Sequence, residues 1–189
     1  VAGIGGATGS GLSTQIMTHF REEYPDKIVD LTPVYPSIDE DTKAFSYYNW
    51  CLAMHHAIEH TDTNRPCDNQ SLYQACFKAL KIKEPTIDDI NDAIANSFLD
   101  LTAGMRYPLN NYLDLKKIST ILKPFPRMSQ LLQTVRTPYD KDEKSKFISS
   151  IHHPKSFFSS VDLTCDQMIS SAILLRNHKE IGQKFTKEV

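Results

Sequence analysis

Long hydrophobic runs are missing from this sequence. No apolar stretch approaches the roughly 20 residues that a membrane-spanning helix requires. Charge of one sign is missing too: 21 Lys and Arg stand against 23 Asp and Glu, a formal net charge of −2. Nothing therefore directs the chain to nucleic acid or to a membrane surface as its main partner. Cysteine is sparse, with Cys51, Cys67, Cys76 and Cys165 and no C-x-x-C spacing. Two readings stand, reduced and mostly buried thiols in a cytosolic protein or a disulfide framework. A chain of 189 residues can bury a core without covalent staples, which favours the thiols. Histidines occur as the adjacent pairs His55-His56 and His152-His153. Adjacent side chains point in different directions on a helix or strand, so such a pair is a poor metal site, and no metal ligands are assigned. No internal repeat or low-complexity stretch appears. What remains is an ordinary globular composition, 40% hydrophobic and 23% charged, enough for one domain or one domain and part of another.

The order of elements points to an α/β fold. Residues 12–23 read as an amphipathic helix, broken by Tyr24-Pro25-Asp26. Residues 27–34 carry β-branched and apolar side chains and read as a strand, with Pro33 and Pro36 marking its end. An acidic loop with Asp39-Glu40-Asp41 follows, then a helix over 44–60. A third helix is expected over 68–80, opened by Asp68 or Asn69 as a cap. Ile87, Ile90, Ile94, Phe98, Leu101 and Met105 recur at helical spacing and predict one long helix of about five turns. Thr86 and Asp89 form a capping-box-like start for it. Pro108 ends that segment. Residues 114–122 read as a shorter helix, 128–135 and 168–175 as strands, 141–146 as a charged surface stretch, and the tail from Lys179 as a basic helix. This order suggests a nucleotide-domain half over 1–108, including the long helix, joined to a second, smaller α/β domain over 109–189.

Glycine numbers only 7 in the chain, yet the first eleven residues read Val-Ala-Gly-Ile-Gly-Gly-Ala-Thr-Gly-Ser-Gly. Glycine lets the backbone turn sharply and come close to a ligand. Consecutive N–H groups can then converge, and the following helix adds its positive end. Thr8 and Ser10 offer hydroxyls. This suits a di- or triphosphate. It is not a Walker loop, because G-K-[ST] is absent, and almost no strand precedes it as a Rossmann fingerprint would need. A plain flexible glycine-rich terminus is the rival reading.

The segment Gly5-Gly6-Ala7-Thr8-Gly9-Ser10-Gly11 resembles the G-G-G-T-G-[ST]-G loop of the tubulin superfamily. The resemblance continues through Arg21-Glu22-Glu23-Tyr24-Pro25-Asp26, Thr61-Asp62, Asp68-Asn69 with Leu72-Tyr73, and Pro85-Thr86 with Asp89-Ile90-Asn91. It extends to Arg106-Tyr107-Pro108, Pro124-Phe125-Pro126-Arg127 and, more weakly, Leu174-Leu175-Arg176, and so covers most of the chain. It implies a tubulin-like nucleotide-binding half, a long central helix and a smaller intermediate domain. It implies that Gly5, Gly6, Thr8, Gly9, Ser10 and Gly11 hold the phosphates of GTP or GDP. Asn69 and Asn91 would read the guanine edge, since an amide both donates and accepts. A helix cap or a surface polar residue is the plain reading of each Asn. Mg²⁺ is an allowed companion, although the family's acidic metal-shell residues lie largely outside this sequence. Two further phosphate loops and the first strands of the family, and its final helix pair, are not in the sequence either, so a partial chain is expected.

Four departures stand out. Ala7 replaces the third glycine of the loop. Ile87 stands where an aromatic usually stacks on the base. Ser46 replaces an acid that contacts the ribose in β-tubulins. In the family's N-x-D-x-x-E inter-subunit loop, Tyr112 replaces Asn, Asp114 is kept and Lys117 replaces the acid that activates water. An ammonium cannot accept that proton. Lysine is also found there in β-tubulins, so the pattern is β-like and no catalytic residue is assigned; any GTPase activity would be weak and completed by a neighbouring subunit. The resemblance implies a structural constituent of a microtubule or other cytoskeletal polymer, cytoplasmic or in a cilium, with other tubulin-like subunits or microtubule-associated proteins as partners. A nucleotide-free pseudo-tubulin is the alternative. An unrelated phosphate-binding enzyme is a third, without a clustered acid and base near the loop to support it.

Overall fold

The structure, a computed structural model, describes residues 1–37, 43–107, 114–136, 153–160 and 169–174. Strand β1 (Ala2–Gly3) leads into helix α1 (Ala7–Glu23). Strands β2 (Asp30–Leu31) and β3 (Pro33–Tyr35) follow, then helix α2 (Ala44–His60). Next come strands β4 (Thr63–Asn64) and β5 (Cys67–Asp68), and helices α3 (Asn69–Lys78) and α4 (Ile87–Leu101). Short helices α5 (Ala103–Arg106) and α6 (Leu115–Leu122) and a 3₁₀ turn at Pro154–Ser156 complete the described elements.

Among the described residues every ladder is parallel, as helical crossovers between strands require. One sheet has the order β1-β3-β5 and the other pairs β2 with β4. The two run in one register: Asp30 faces Thr63 and Val34 faces Cys67. Pro66 stands in the break between them and Pro33 opens β3 just after it, and proline has no N–H to give a ladder. The expected strand over 27–34 is thus two shorter strands starting at Asp30, and Pro33 opens the second instead of ending the first.

Side chains of successive strand residues alternate between the two faces. Ile4 and Leu31 face α1 and α2, where they cluster with Met17, Ala53, Met54 and Ala57. Cys67 faces α3 and α4 and clusters with Leu72, Ala75, Cys76, Ile90, Ala93, Val135 and Phe158. The sheet therefore lies between two helical layers, an α/β arrangement.

Helix α2 matches its expected span. Its inward residues Ser46, Ala53, Met54 and Ala57 share one face. At its C-terminus the Arg21 guanidinium donates to the His60 carbonyl at 3.1 and 2.8 Å and pairs with Asp62 at 2.9 Å, so a free carbonyl gains a cationic partner. Helix α3 is capped by Asp68, whose carboxylate accepts the Ser71 N–H at 3.3 Å; Asn69 is the first helical residue and not the cap. Helix α4 starts with the full Thr86/Asp89 capping box. It then stops at Leu101, so the single five-turn helix of the sequence pattern is two pieces, α4 and α5. The inward face of α4 is Ile90, Ala93 and Ser97, while Ile87 is 68% exposed.

Two expected strands do not form among the described residues. Residues 128–135 make single bridges, Asn64 with Gln130 and Thr134 with Phe157. Residues 169–174 are exposed and without regular structure. Helix α1 begins five residues earlier than its apolar pattern suggests, because the glycine-rich segment joins its first turns. The acidic loop 39–41, Pro108, Tyr112, Cys165, residues 141–146 and the tail from Lys179 lie outside the described residues.

Candidate functional site: a cleft at the carboxyl edge of the sheet

Parallel strands put their carboxyl ends on one edge. Strand β1 runs out into Gly5 and Gly6, and β5 runs out into Asn69, with β3 between them. Two strand spacings separate these exits, roughly 10 Å. Ligands of open α/β sheets bind outside such an edge.

At the β1 exit, Gly6 is the N-cap of α1 and supplies no side-chain cap. The first N–H groups of a helix have no intrahelical acceptor and attract anions. Gly6, Ala7, Thr8 and Gly11 are exposed and Gly5 is buried. Asn49 of α2 donates its amide to the Gly5 carbonyl at 3.2 Å and holds the turn. Ser10 is buried, and its hydroxyl donates to the Ala7 carbonyl at 3.2 Å, which turns it toward the helix backbone. Gly9 has a distinct task. A Cβ there would lie 1.9 Å from the Gly3 carbonyl oxygen, so Gly9 lets α1 press directly on β1. No described glycine has a positive φ. The segment is a short turn and the first turns of a helix, with close approach as its use of glycine.

At the β5 exit a cleft of about 570 Å³ opens between α3, α4 and the sheet, within the usual size of small-molecule sites. Helix α3 contributes Asn69 and Tyr73. Helix α4 contributes Ile87, Ile90, Asn91, Ile94, Ala95 and Phe98, and the sheet side contributes Val1 and Val34. Asn69 and Asn91, 22 positions apart in sequence, thus share one cavity. Two amides on an apolar lining can fix the orientation of a flat heterocycle, and Tyr73 and Phe98 add aromatic side chains to that lining. The glycine residues do not line this cleft; they sit beside it on the same strand edge.

Ile87 stands at the cleft mouth. Ser46 is buried in α2, 3% exposed. Asp114 is the N-cap of α6 without a side-chain cap bond, and Lys117 is exposed on the same helix. Neither borders the cleft. Among the described residues no three His, Cys, Asp or Glu side chains group to hold a metal ion, so no Mg²⁺ ligand set is built from them. Burial pushes the Cys67 thiol up to about 11 and the Tyr35 phenol up to about 12; Cys67 is buried and Tyr35 half-buried in the wall between the layers, and neither is an acid–base group for neutral pH. Among the described residues Cys51, Cys67 and Cys76 are free thiols.

Sequence reading missed a buried arginine behind the cleft. Arg65, 4% exposed, holds Asp30 with two hydrogen bonds, Nε to Oδ1 at 3.1 Å and Nη2 to Oδ2 at 2.5 Å. Its Nη1 donates to Gln133 at 3.1 Å, and its guanidinium lies 4.6 Å from the centre of the Phe98 ring. No local pattern signals this, because its partners lie 35 and 68 positions away.

Residues 1–77 match the family model described as Tubulin/FtsZ family, GTPase domain. The chain belongs to the tubulin superfamily. It is 38% identical over 125 residues to the tubulin beta-6 chain of Gallus gallus, an alignment that takes in 66% of this chain and 28% of that relative. The chain thus spans well under a third of the length of the relative it matches. The matched tubulin family segment ends inside α3 and holds the parallel ladders, the glycine turn and Asn69; Asn91 lies beyond it. Among the described residues of this tubulin family member, no helix is long and apolar enough to cross a membrane.

Proposed function

We propose that this chain is a divergent tubulin that holds guanine nucleotide, GTP or GDP, along the carboxyl edge of its sheet and acts as a structural constituent of a microtubule or related cytoskeletal assembly. One observation carries the reading: Asn69 and Asn91 meet in one apolar cleft on the strand edge that also bears the glycine turn. In this reading the base lies between α3 and α4, and the phosphates extend to the open N-terminus of α1 at Gly5, Gly6, Thr8, Gly9, Ser10 and Gly11. Helix α4 is the family's central helix, and residues 109–189 belong to the intermediate domain. Asp114 and Lys117 face the site of a neighbouring tubulin-like subunit, and Lys117 does not activate water there. The assembly is cytoskeletal, and an axonemal one is included.

The test is nucleotide release from the natively purified assembly. Denaturation and ion-pair chromatography count guanine nucleotide per copy of the chain, with Asn69→Ala/Asn91→Ala as control. Loss of about one equivalent in the double variant supports the reading. An unchanged count sinks it and favours a second reading, a pseudo-tubulin that keeps the fold for partners alone. That second reading draws on Ser46, which is buried and does not line the cleft, and on Ile87, which gives the cleft mouth no ring.

A further inference from the structure

A buried arginine is costly unless its charge and all its donors are engaged. Arg65 is paired with Asp30 and donates from each of its three nitrogens, and in doing so joins three separate parts of the fold. Asp30 belongs to β2, Phe98 to α4, and Gln133 to the segment that bridges to β4. Thr63 adds a hydroxyl to the same Asp30 oxygen at 2.7 Å. Gln133 in turn donates its amide to the Ser97 hydroxyl on α4, and Arg136 reaches Asp100 at 3.8 Å. Helix α4 is therefore tied to the sheet at Phe98 and to the segment carrying Gln133 and Arg136 at Ser97 and Asp100, about two turns or more beyond Asn91.

The consequence lies in what Phe98 does. One side of its ring region borders the cleft, and Arg65, which does not border the cleft, lies over the ring. The Arg65 guanidinium is flat and forked, so it can grip a carboxylate at its edge and a ring on its face together; a lysine ammonium can do only one of these. We propose that Arg65 is a positioning residue that sets the width of the cleft: it fixes Phe98 and with it the distance of α4, carrying Asn91, from α3, carrying Asn69. The inference rests on the guanine-nucleotide reading for its effect on ligand and on the geometry alone for its effect on α4.

Three variants of the full chain test it. Arg65→Met removes the charge and fork. Arg65→Lys keeps the charge without the fork or the flat face. Arg65→Met/Asp30→Leu removes both charges, so no carboxylate is left buried alone and the fold is kept. Hydrogen exchange reads α4 directly. In all three variants, amides of residues 94–101 are expected to exchange at least tenfold faster, with residues 44–60 of α2 unchanged. Affinity for GDP against IDP, which lacks the 2-amino group, reads the spacing of the two amides. The preference for GDP is expected to fall several-fold while IDP binding is kept. Unchanged exchange in α4, an equal rise throughout the chain, or full rescue by lysine would each overturn the role of Arg65. Failure of the unmodified chain to bind either nucleotide would instead sink the nucleotide reading, and the exchange result would still decide whether Arg65 positions α4.

Discussion

The two faces of the sheet solve opposite problems. On the α1/α2 face the layers meet directly: Gly9 brings the helix onto the Gly3 carbonyl, and Ile4, Leu31 and Met17 pack with Ala53, Met54 and Ala57. On the α3/α4 face the same sheet leaves about 570 Å³ open, although Leu72, Ala75 and Cys76 below it are fully buried. Small residues serve contact on the first face. On the second, Ile90 and Ala93 seat the start of α4 in the core, and polar ties hold its later turns. Where α4 borders open space, such ties add to the apolar anchor that Ile90 and Ala93 give its first turns.

Substitutions that add atoms should separate the faces most sharply. Gly9→Ala places a methyl into backbone that cannot swing away, and is expected to cost about 3 kcal/mol or more in urea unfolding. A tolerated Gly9→Ala would mean that α1 is free to lift from β1, and the contrast would fail. Leu72→Ala, in the filled part of the second face, should cost about 2–3 kcal/mol; a smaller loss would extend the openness of the cleft into the core below it.

Alkaline titration probes the wall between the layers. The Cys67 and Tyr35 groups have folded values raised by burial from 9.0 to about 11 and from 10.0 to about 12. The unfolded chain therefore loses these protons first. Stability should be flat below pH 9 and fall as pH rises between about 9 and 12. Cys67→Ala should remove the lower part of that fall, as followed by chemical denaturation at each pH.

The smallest effects lie where the structure leaves space. Gly11 has nothing within 4 Å of a built Cβ and sits in α1, so Gly11→Ala should gain about 0.5–1 kcal/mol through helix propensity. Ala95 is exposed and lines the cleft. Ala95→Phe should leave stability within about 0.5 kcal/mol yet weaken nucleotide binding about tenfold by filling the cleft. If it unfolds the chain, the cleft is a collapsible gap and not a standing cavity.

Local chemistry made much of this visible in the sequence. The span of α2, the Asp68 cap and the Thr86/Asp89 box all follow from side chains acting within a few positions of themselves. The glycine motif was visible as a motif, but not its geometry. Its last residues satisfy helix hydrogen bonds, and one glycine, Gly9, is required by the close approach of Gly3. Residues 128–135 have a strand's composition, yet only Gln130 and Thr134 find bridge partners, and a strand is defined by its neighbours. Asn69 and Asn91 were named from resemblance, while their meeting in one cleft depends on how α3 and α4 lie on the sheet. Arg65 was illegible for the same reason at greater range, since nothing near it in sequence announces Asp30, Phe98 or Gln133.

The most direct test of the account follows the side-chain amides of Asn69 and Asn91 by nitrogen-15 NMR during titration with GDP and, separately, ADP. The account predicts that both amide pairs, assigned through Asn→Asp variants, shift with GDP and remain in place with ADP at equal concentration. Equal shifts with both, or none with GDP, would contradict a guanine-reading cleft between α3 and α4.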